Sequence, residues 1–182
     1  MTISLLGICG SLRAGSSNRK LLNAALVLFG PAKVTDADLR LPLYDGDLED
    51  REGIPAGVQQ LATQMIAADG VIFACPEYNR GVPGVLKNAL DWVSRVKGGP
   101  LRDKPVALLS AADGPAGGAR AQYALRLNLV PFRADVLAGP EILLPSASQA
   151  FDDQGQLLNA RTATLVGELM GELRAGITRR RD

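Results

Sequence analysis

The chain has 182 residues, 47% of them hydrophobic, and its 20 basic and 19 acidic side chains leave a net charge of +1. This length fits one domain with a substantial core, so we expect a single domain over residues 1–182. A nearly neutral chain has no broad electrostatic attraction to nucleic acid or to an anionic membrane, and we expect neither as a partner.

The chain contains no histidine and only two cysteines, Cys9 and Cys75. Ser-His-Asp hydrolases, Cys-His proteases and HExxH metalloenzymes are therefore excluded in their usual forms, and we predict no metal site. Both cysteines lie in apolar runs, which indicates buried thiols and no disulfide. The N-terminus lacks a charged leader, and no apolar stretch approaches the roughly 20 residues that span a bilayer, so we expect a cytoplasmic protein. We infer that any chemistry belongs to a bound cofactor.

Apolar runs and amphipathic stretches alternate along the whole chain. Strands are predicted at 3–8, 32–39, 70–75, 106–110 and 136–144, the last interrupted by Gly139 and Pro140, and helices at about 21–28, 58–66, 83–97, 117–129 and 158–175. Residues 40–53 form a long connection. Five strands alternating with helices predict one doubly wound parallel sheet. Ligands of such sheets bind beyond the carboxyl ends of the strands, which brings together the loops 10–18, 76–83 and 110–118.

The first of these loops carries the residues of an anion site. Between Gly10 and Asn18 the chain has three serine hydroxyls, one guanidinium and one amide. The N-terminus of a helix has unpaired N–H groups and about half a positive charge, and Arg13 adds a planar fork suited to phosphate oxygens. The alternative is that Ser17 or Asn18 only caps the helix. Capping does not explain Arg13 or the additional serines.

The loop does not match the sequence patterns of two common nucleotide-binding loops, and this restricts the type of nucleotide that it is expected to bind. The P-loop pattern GxxxxGK[ST] begins at Gly10, but Ser16 stands where the lysine is needed. The dinucleotide fingerprint GxGxxG is missing, and we see no acidic residue that ends the second predicted strand as a ribose partner. Hydroxyls and one arginine suit a single terminal phosphate, so a mononucleotide is favoured.

Three motifs resemble the NADPH-dependent FMN reductase family, the flavodoxin-like group that includes quinone, chromate and azo-dye reductases. They are GSLRAGSSN at 10–18, PEYNRGVPGVLKNALDW at 76–92 and GGARAQY at 117–123. Gly81 departs from the pattern, in which serine is usual. The resemblance covers about residues 2–145 and implies a flavodoxin-like three-layer sandwich, with a five-stranded parallel sheet and helices on both faces.

The resemblance also implies FMN as the cofactor and assigns residues to it. The phosphate is expected to contact Ser11, Arg13, Ser16, Ser17 and Asn18. The ribityl chain and ring edge are expected to contact Pro76, Glu77, Tyr78 and Asn79. The pyrimidine end is expected to contact Ser110, Gly114 and Gly117, and the substrates to contact Arg80, Gly81 and Asp113. No side chain is predicted to be catalytic.

The implied activity is hydride transfer from NADPH or NADH to bound FMN, followed by transfer of two electrons to a quinone, chromate, azo dye or ferric chelate. Two alternatives stay open: a reductase that supplies free reduced FMN to a monooxygenase, and a flavodoxin-like electron carrier. Arg80 is a candidate for selecting NADPH or an anionic acceptor. The family resemblance implies a homodimer or, more often, a homotetramer, with Lys87–Trp92, Arg120–Tyr123 and Glu141 as interface candidates.

Three further residues or groups have more than one interpretation. Glu77 either fixes its own loop or pairs with a neighbouring subunit. Tyr78 is expected either to contact the cofactor or to pack its ring and expose its hydroxyl. On the following helix, Lys87, Asn88, Asp91 and Trp92 are favoured to have structural roles instead of catalytic ones.

Overall fold

A computed structural model describes residues 2–181, and its centre is a parallel β-sheet. The strands are β1 (Ser4–Cys9), β2 (Lys33–Asp36), β3 (Gly70–Ala74), β4 (Pro105–Ala111), β5 (Asp135–Val136) and β6 (Ile142–Leu144). Their order is β2-β1-β3-β4, and both β5 and β6 pair with the outer edge of β4. Because β3 pairs with β1 on the side opposite β2, the direction of winding reverses between β1 and β3.

Helices cover both faces of the sheet. They are α1 (Ser17–Phe29), α2 (Gly46–Glu52), α3 (Ala56–Ala67), α4 (Gly84–Arg95), α5 (Ala119–Leu129) and α6 (Ala160–Arg179). One hydrophobic core joins the sheet to α3, α4 and α5, and the other joins it to α1 and α6. The flavodoxin-like three-layer arrangement is thereby confirmed. Within residues 2–181, no helix has the length and apolar content needed to cross a membrane.

The central strands are apolar throughout because both of their faces are covered. In β3, Val71 and Phe73 enter one core while Ile72 and Ala74 enter the other, and all four are fully buried. This alternation follows from the period of two in a strand, and a run without polar residues is expected where helices pack on both sides. Burial of each large apolar side chain contributes about 1.5–3 kcal/mol.

The last predicted strand is divided, as its glycine and proline indicated. β5 pairs with the start of β4 at Pro105, whereas β6 pairs with its end at Ser110. Between them lie Gly139 and Pro140, and a proline has no N–H to donate to the sheet. The division allows the chain to follow β4 along its length and to finish at the carboxyl edge of the sheet.

Two expectations are wrong, one about the connection that follows β2 and one about the residue that ends β2. The connection at 40–53 contains α2, which begins where Asp45 accepts a hydrogen bond from the N–H of Asp47. This helix has no buried residue, so no apolar periodicity revealed it. The second strand does end in an acidic residue, Asp36, but its carboxylate is paired with Arg19 at 2.6 Å.

Side chains of α4 hold the connection between β2 and α2. The Asn88 amide donates to the carbonyl of Pro42 at 2.9 Å and accepts from the N–H of Tyr44 at 2.8 Å. The indole of Trp92 also donates to Pro42, at 2.8 Å. Lys87 pairs along the helix with Asp91 at 2.6 Å. These contacts give the four α4 residues structural roles, as the sequence favoured.

The start of α5 lies directly against β4 and β6. Gly117 and Gly118 have φ angles of 56° and 89°, a left-handed conformation that side chains rarely adopt. A Cβ at Gly117 would lie 2.5 Å from the carbonyl carbon of Leu143, and one at Gly118 would lie 2.8 Å from the Cβ of Ser110. Only glycine allows this close approach.

Replacing Gly117 by alanine is expected to lower the free energy of unfolding by about 2–4 kcal/mol, because the substitution adds backbone strain to a steric overlap. Gly114 provides the matched control in the same loop, since a Cβ there meets nothing within 4 Å. Gly114→Ala should change stability by less than about 0.5 kcal/mol. Urea unfolding of both variants measures the difference, and equal stabilities would contradict the packing described.

Candidate functional site

A crevice of about 200 Å³ opens at the carboxyl ends of β1, β3 and β4, beside the reversal of the sheet. It brings together predicted residues from all three loops. They are Ser11, Arg13, Ser16, Ser17, Asn18, Pro76, Glu77, Tyr78 and Asp113, joined by Ala111, Ala112 and Ala147. The position agrees with the rule for ligand sites in doubly wound sheets.

The N-terminus of α1 faces this crevice with free donors. Ser16 caps the helix, since its hydroxyl accepts from the N–H of Arg19 at 3.3 Å. The alternative of a cap at Ser17 or Asn18 is therefore wrong. The N–H groups of those two residues have no acceptor anywhere in the described chain, and the first turn has no acidic residue. The partial positive charge of the helix end is thus available to an anion.

Arg13 supplies a full positive charge beside these donors. Its guanidinium makes no hydrogen bond or ion pair with any residue between 2 and 181. Asp113 stands in the same crevice and accepts from the N–H of Ser148 at 2.7 Å. The bonds from Ser148 lower the pKa of Asp113, and the charge of Arg13 adds to this effect. The carboxylate is therefore ionised at neutral pH and anchors the chain after β6.

Besides the Ser16 cap, two more of the predicted phosphate residues have side chains with protein partners. The buried amide of Asn18 donates to the carbonyl of Ala111 at 2.7 Å and accepts from its N–H at 3.0 Å. The hydroxyl of Ser11 accepts from the N–H of Arg13 at 3.3 Å and lies 3.3 Å from the Tyr78 hydroxyl. Ser17 keeps an unpaired hydroxyl. Arg13 and Ser17 are therefore the side chains most available for direct contact with an anion.

The loop after β3 turns back on itself at the rim of the crevice. Pro76 is buried, whereas Tyr78 is 52% exposed. Asn79 and Arg80 have φ angles of 50° and 64°, and Tyr78 and Gly81 exchange two backbone hydrogen bonds, which defines a tight two-residue turn. Asn79, Arg80 and Gly81 thus lie outside the crevice lining, and their proposed contacts stay predictions.

Glu77 fixes this loop within its own chain. Its carboxylate accepts from the N–H of Arg120 at 3.0 Å and of Ala121 at 3.3 Å, and from the Arg120 guanidinium at 3.2 Å. The intramolecular interpretation of Glu77 therefore matches the structure. The bonds join the loop to the first turn of α5.

The remaining predicted residues support the site from outside the lining. Ser110 is fully buried, and its hydroxyl donates to the carbonyl of Gly117 at 2.8 Å. Gly117 is buried beneath the loop, and Gly114 is exposed on it. Contacts of these three residues with a cofactor stay predictions.

The described residues around the crevice include neither a reactive thiol nor a metal cluster. Cys75 precedes Pro76, but burial raises the pKa of its thiol to about 12, so it is protonated at neutral pH. Among residues 2–181, no group of three or more acidic or cysteine side chains could hold a metal ion. The arrangement suits the binding of an anionic group.

Sequence reasoning missed the contribution of the chain after β6. Ala147 lines the crevice because its N–H donates to the carbonyl of Ala112 at 3.3 Å, beside the Asp113–Ser148 bond. Alanine carries no chemical signal. Only the topology could have indicated it, since every parallel strand ends at the same edge of the sheet.

Several known proteins to which this chain is similar are reductases. The family model described as NADPH-dependent FMN reductase matches residues 3–149. An NAD(P)H-dependent FMN reductase of Pseudomonas aeruginosa is 42% identical over 181 residues, covering 98% of this chain and 97% of that protein. A quinone reductase of Escherichia coli K12 is 39% identical, covering 95% and 93%. The solved structure of a flavoenzyme NAD(P)H:(acceptor) oxidoreductase from Paracoccus denitrificans matches with a TM-score of 0.88 and 28% identity, covering 98% of each chain. Sequence motifs, fold and relatives agree, and the chain belongs to the NADPH-dependent FMN reductase family.

Proposed function

We propose that this chain binds FMN in the crevice, accepts electrons from NADPH or NADH and reduces a quinone. Family membership confirms the predicted enzyme class and the predicted cofactors. The observation that carries the proposal is the unpaired guanidinium of Arg13 beside the free N–H groups of Ser17 and Asn18. A phosphate monoester needs this combination of charge and donors.

The residues present fit the phosphate of FMN. Arg13 and the Ser17 hydroxyl would hold it, with the N–H groups at the start of α1. Bound FMN supplies hydride and electron transfer, which none of the side chains here can provide. The chain's own contribution is to bind and orient: the half-exposed Tyr78 lines the crevice, and Asp113 holds the chain after β6 against it through Ser148.

A quinone is the acceptor that we favour. The E. coli relative is named a quinone reductase, and similarity to it extends over 95% of this chain. The half-exposed ring of Tyr78 leaves an aromatic surface at the crevice mouth, where a flat apolar ring can stack.

We propose a homodimer or homotetramer in the cytoplasm. Tyr123, Leu127 and Val130 are exposed at helical spacing, 49%, 73% and 68% respectively, and form an apolar stripe along α5 and its end. The Tyr123 hydroxyl lies 3.3 Å from the carboxylate of Glu141 in the same chain. Such a stripe with a polar edge suits contact between two copies. Two free, buried cysteines suit a reducing compartment.

The proposed reaction is tested on the purified protein without a partner. Anaerobic NADPH should bleach the yellow colour of the FMN-loaded protein, and benzoquinone should restore it. Steady turnover excludes a carrier that depends on a partner protein. Retention of flavin through gel filtration distinguishes a bound cofactor from a flavin that leaves to serve a monooxygenase. A protein that neither binds FMN nor oxidises NADPH contradicts the proposal.

Replacing Arg13 by alanine is expected to weaken FMN binding by about 10–100-fold, because one or more charge-assisted hydrogen bonds to phosphate are lost. Fluorescence titration of the apoprotein with FMN measures the dissociation constant. Arg51→Ala is the control, since Arg51 lies on α2 with its charge paired to Glu52 at 2.9 Å. Titration with riboflavin should show little difference between the two variants. An unchanged FMN dissociation constant for Arg13→Ala would remove Arg13 from the phosphate site.

Arg80 is expected to favour NADPH over NADH, since its guanidinium has no ion-pair partner in the described chain and the turn holds it at the rim. Arg80→Ala should raise the KM for NADPH about 2–5-fold, the range of an exposed charge pair, and leave the KM for NADH unchanged. Arg133→Ala is the control, because Arg133 is also exposed with a φ of 53° but precedes β5 at the other edge of the sheet. If Arg80→Ala has the same KM values as the wild type for NADPH, NADH and anionic acceptors, Arg80 does not have this role.

A further inference from the structure

We propose that the first turn of α5 is a clamp that fixes both loops beside the flavin ring, with Glu77 and Gln122 as its positioning residues. The clamp consists of Glu77, Ser110, Gly117 and Gln122, and the loops it joins are 76–83 and 112–118. The proposal rests on FMN occupying the crevice, and it names the part of the protein that sets the geometry of its ring end.

Glu77 supplies the helix cap that α5 itself lacks. The N-cap residue is Gly118, which has no side chain, and the first turn contains no acidic residue. The Glu77 carboxylate takes both roles, because it accepts from two N–H groups of that turn and places a negative charge at the positive helix end. Its side chain is only 13% exposed. The loop after β3 is therefore attached to α5 through charge-assisted bonds to a largely buried carboxylate.

Gln122 attaches the same turn to the other loop. This side chain is fully buried, and its amide donates to the hydroxyl of Ser110 at 3.2 Å and to the carbonyl of Ile142 at 3.1 Å. Ser110 in turn donates to the carbonyl of Gly117. One turn of helix thus connects the end of β4 and the start of β6 with the loop between β4 and α5.

The packing around this network leaves no room for adjustment. A Cβ on Gly117 or Gly118 would overlap β6 or β4, as described above. The Oε1 atom of Gln122 is buried without a hydrogen-bond partner in the described part of the chain, so the amide is held by its two donor bonds alone. An unsatisfied buried polar atom is costly and persists only where the surroundings fix it.

The role is one of positioning because the helix itself stays outside the crevice. Gln122, Ser110 and Gly117 do not line it, and of the clamp residues only Glu77 reaches its wall. Glu77 carries Pro76 and Tyr78 on either side, and both line the crevice. A shift of α5 would therefore displace Pro76 and Tyr78, the wall where the family resemblance places the flavin ring.

The test compares Glu77→Gln with Glu49→Gln. Both carboxylates are largely buried, 13% and 17% exposed, and both pair with an arginine, but Glu49 and Arg95 lie away from the crevice. Glu77→Gln should weaken FMN binding by about tenfold, because the weakened bonds to α5 leave Pro76 and Tyr78 less firmly placed at the crevice. It should also shift the midpoint potential and the visible circular dichroism of the bound flavin. Glu49→Gln should change neither, although both variants lose thermal stability.

Two further measurements keep the proposal falsifiable if Glu77→Gln does not fold. Gln122→Met, which keeps the length of the side chain but removes its donors, should alter the potential of the flavin in the same direction. In the wild-type apoprotein, the amide hydrogens of Arg120 and Ala121 should resist exchange before FMN is added. Exchange that slows only after FMN is added would overturn the clamp.

The possible outcomes separate the two proposals. A wild-type protein that fails to bind FMN contradicts the proposed function itself. If the wild type binds FMN, and Glu77→Gln retains its affinity, potential and circular dichroism, only the clamp is refuted. Equal loss of affinity in Glu77→Gln and Glu49→Gln also refutes it, because that result reflects general destabilisation.

Discussion

The site depends on the buried amide of Asn18, which joins the start of α1 to the end of β4. Its two hydrogen bonds to Ala111 satisfy the backbone of the last residue of β4 at the point where that strand leaves the sheet. Loss of such a buried partner costs about 1–3 kcal/mol. Because α1 begins only one residue earlier, the same bonds hold its free N–H groups, and with them Arg13, against the other strand ends. An anion site without a metal requires this fixed arrangement of donors.

Most of the architecture could be predicted because it follows from patterns along the chain. Apolar runs identified the strands, the apolar spacing identified five of the helices, and the reversal of strand order placed the crevice. The incorrect predictions concern the cap of α1 and the existence of α2, where neighbouring residues offer several local hydrogen bonds of similar strength. Ser16, Ser17 and Asn18 are all good helix caps, and only the geometry of the turn selects Ser16. α2 depends on the Asp45 cap and buries nothing, so its sequence resembled a loop.

The supporting contacts could not be predicted for a different reason. Glu77 bonds to residues 43 and 44 positions later, and Gln122 reaches Ser110 across a glycine turn. Neither partner is indicated by spacing, because such pairs form only after the sheet has brought distant segments together. The motif residues were visible as a set in the sequence. The structure divides these residues into two groups. Some side chains have free hydrogen-bond donors, and the others already form hydrogen bonds within the protein.

This division is consistent with a reductase that has no histidine and no reactive thiol, because the protein binds a cofactor that supplies the chemistry. The inner part of the site is buried and held by side-chain hydrogen bonds, from Asn18 beside the anion loop to Ser110 and Gln122 at the end of β4 and the start of α5. The outer part, around Tyr78 and Arg80, is exposed. A cofactor that supplies its own chemistry needs a rigid binding site on one side. Its other side must stay open, because the electron donor and the acceptor must reach it in turn. Binding and access are therefore assigned to different residues of the same loops.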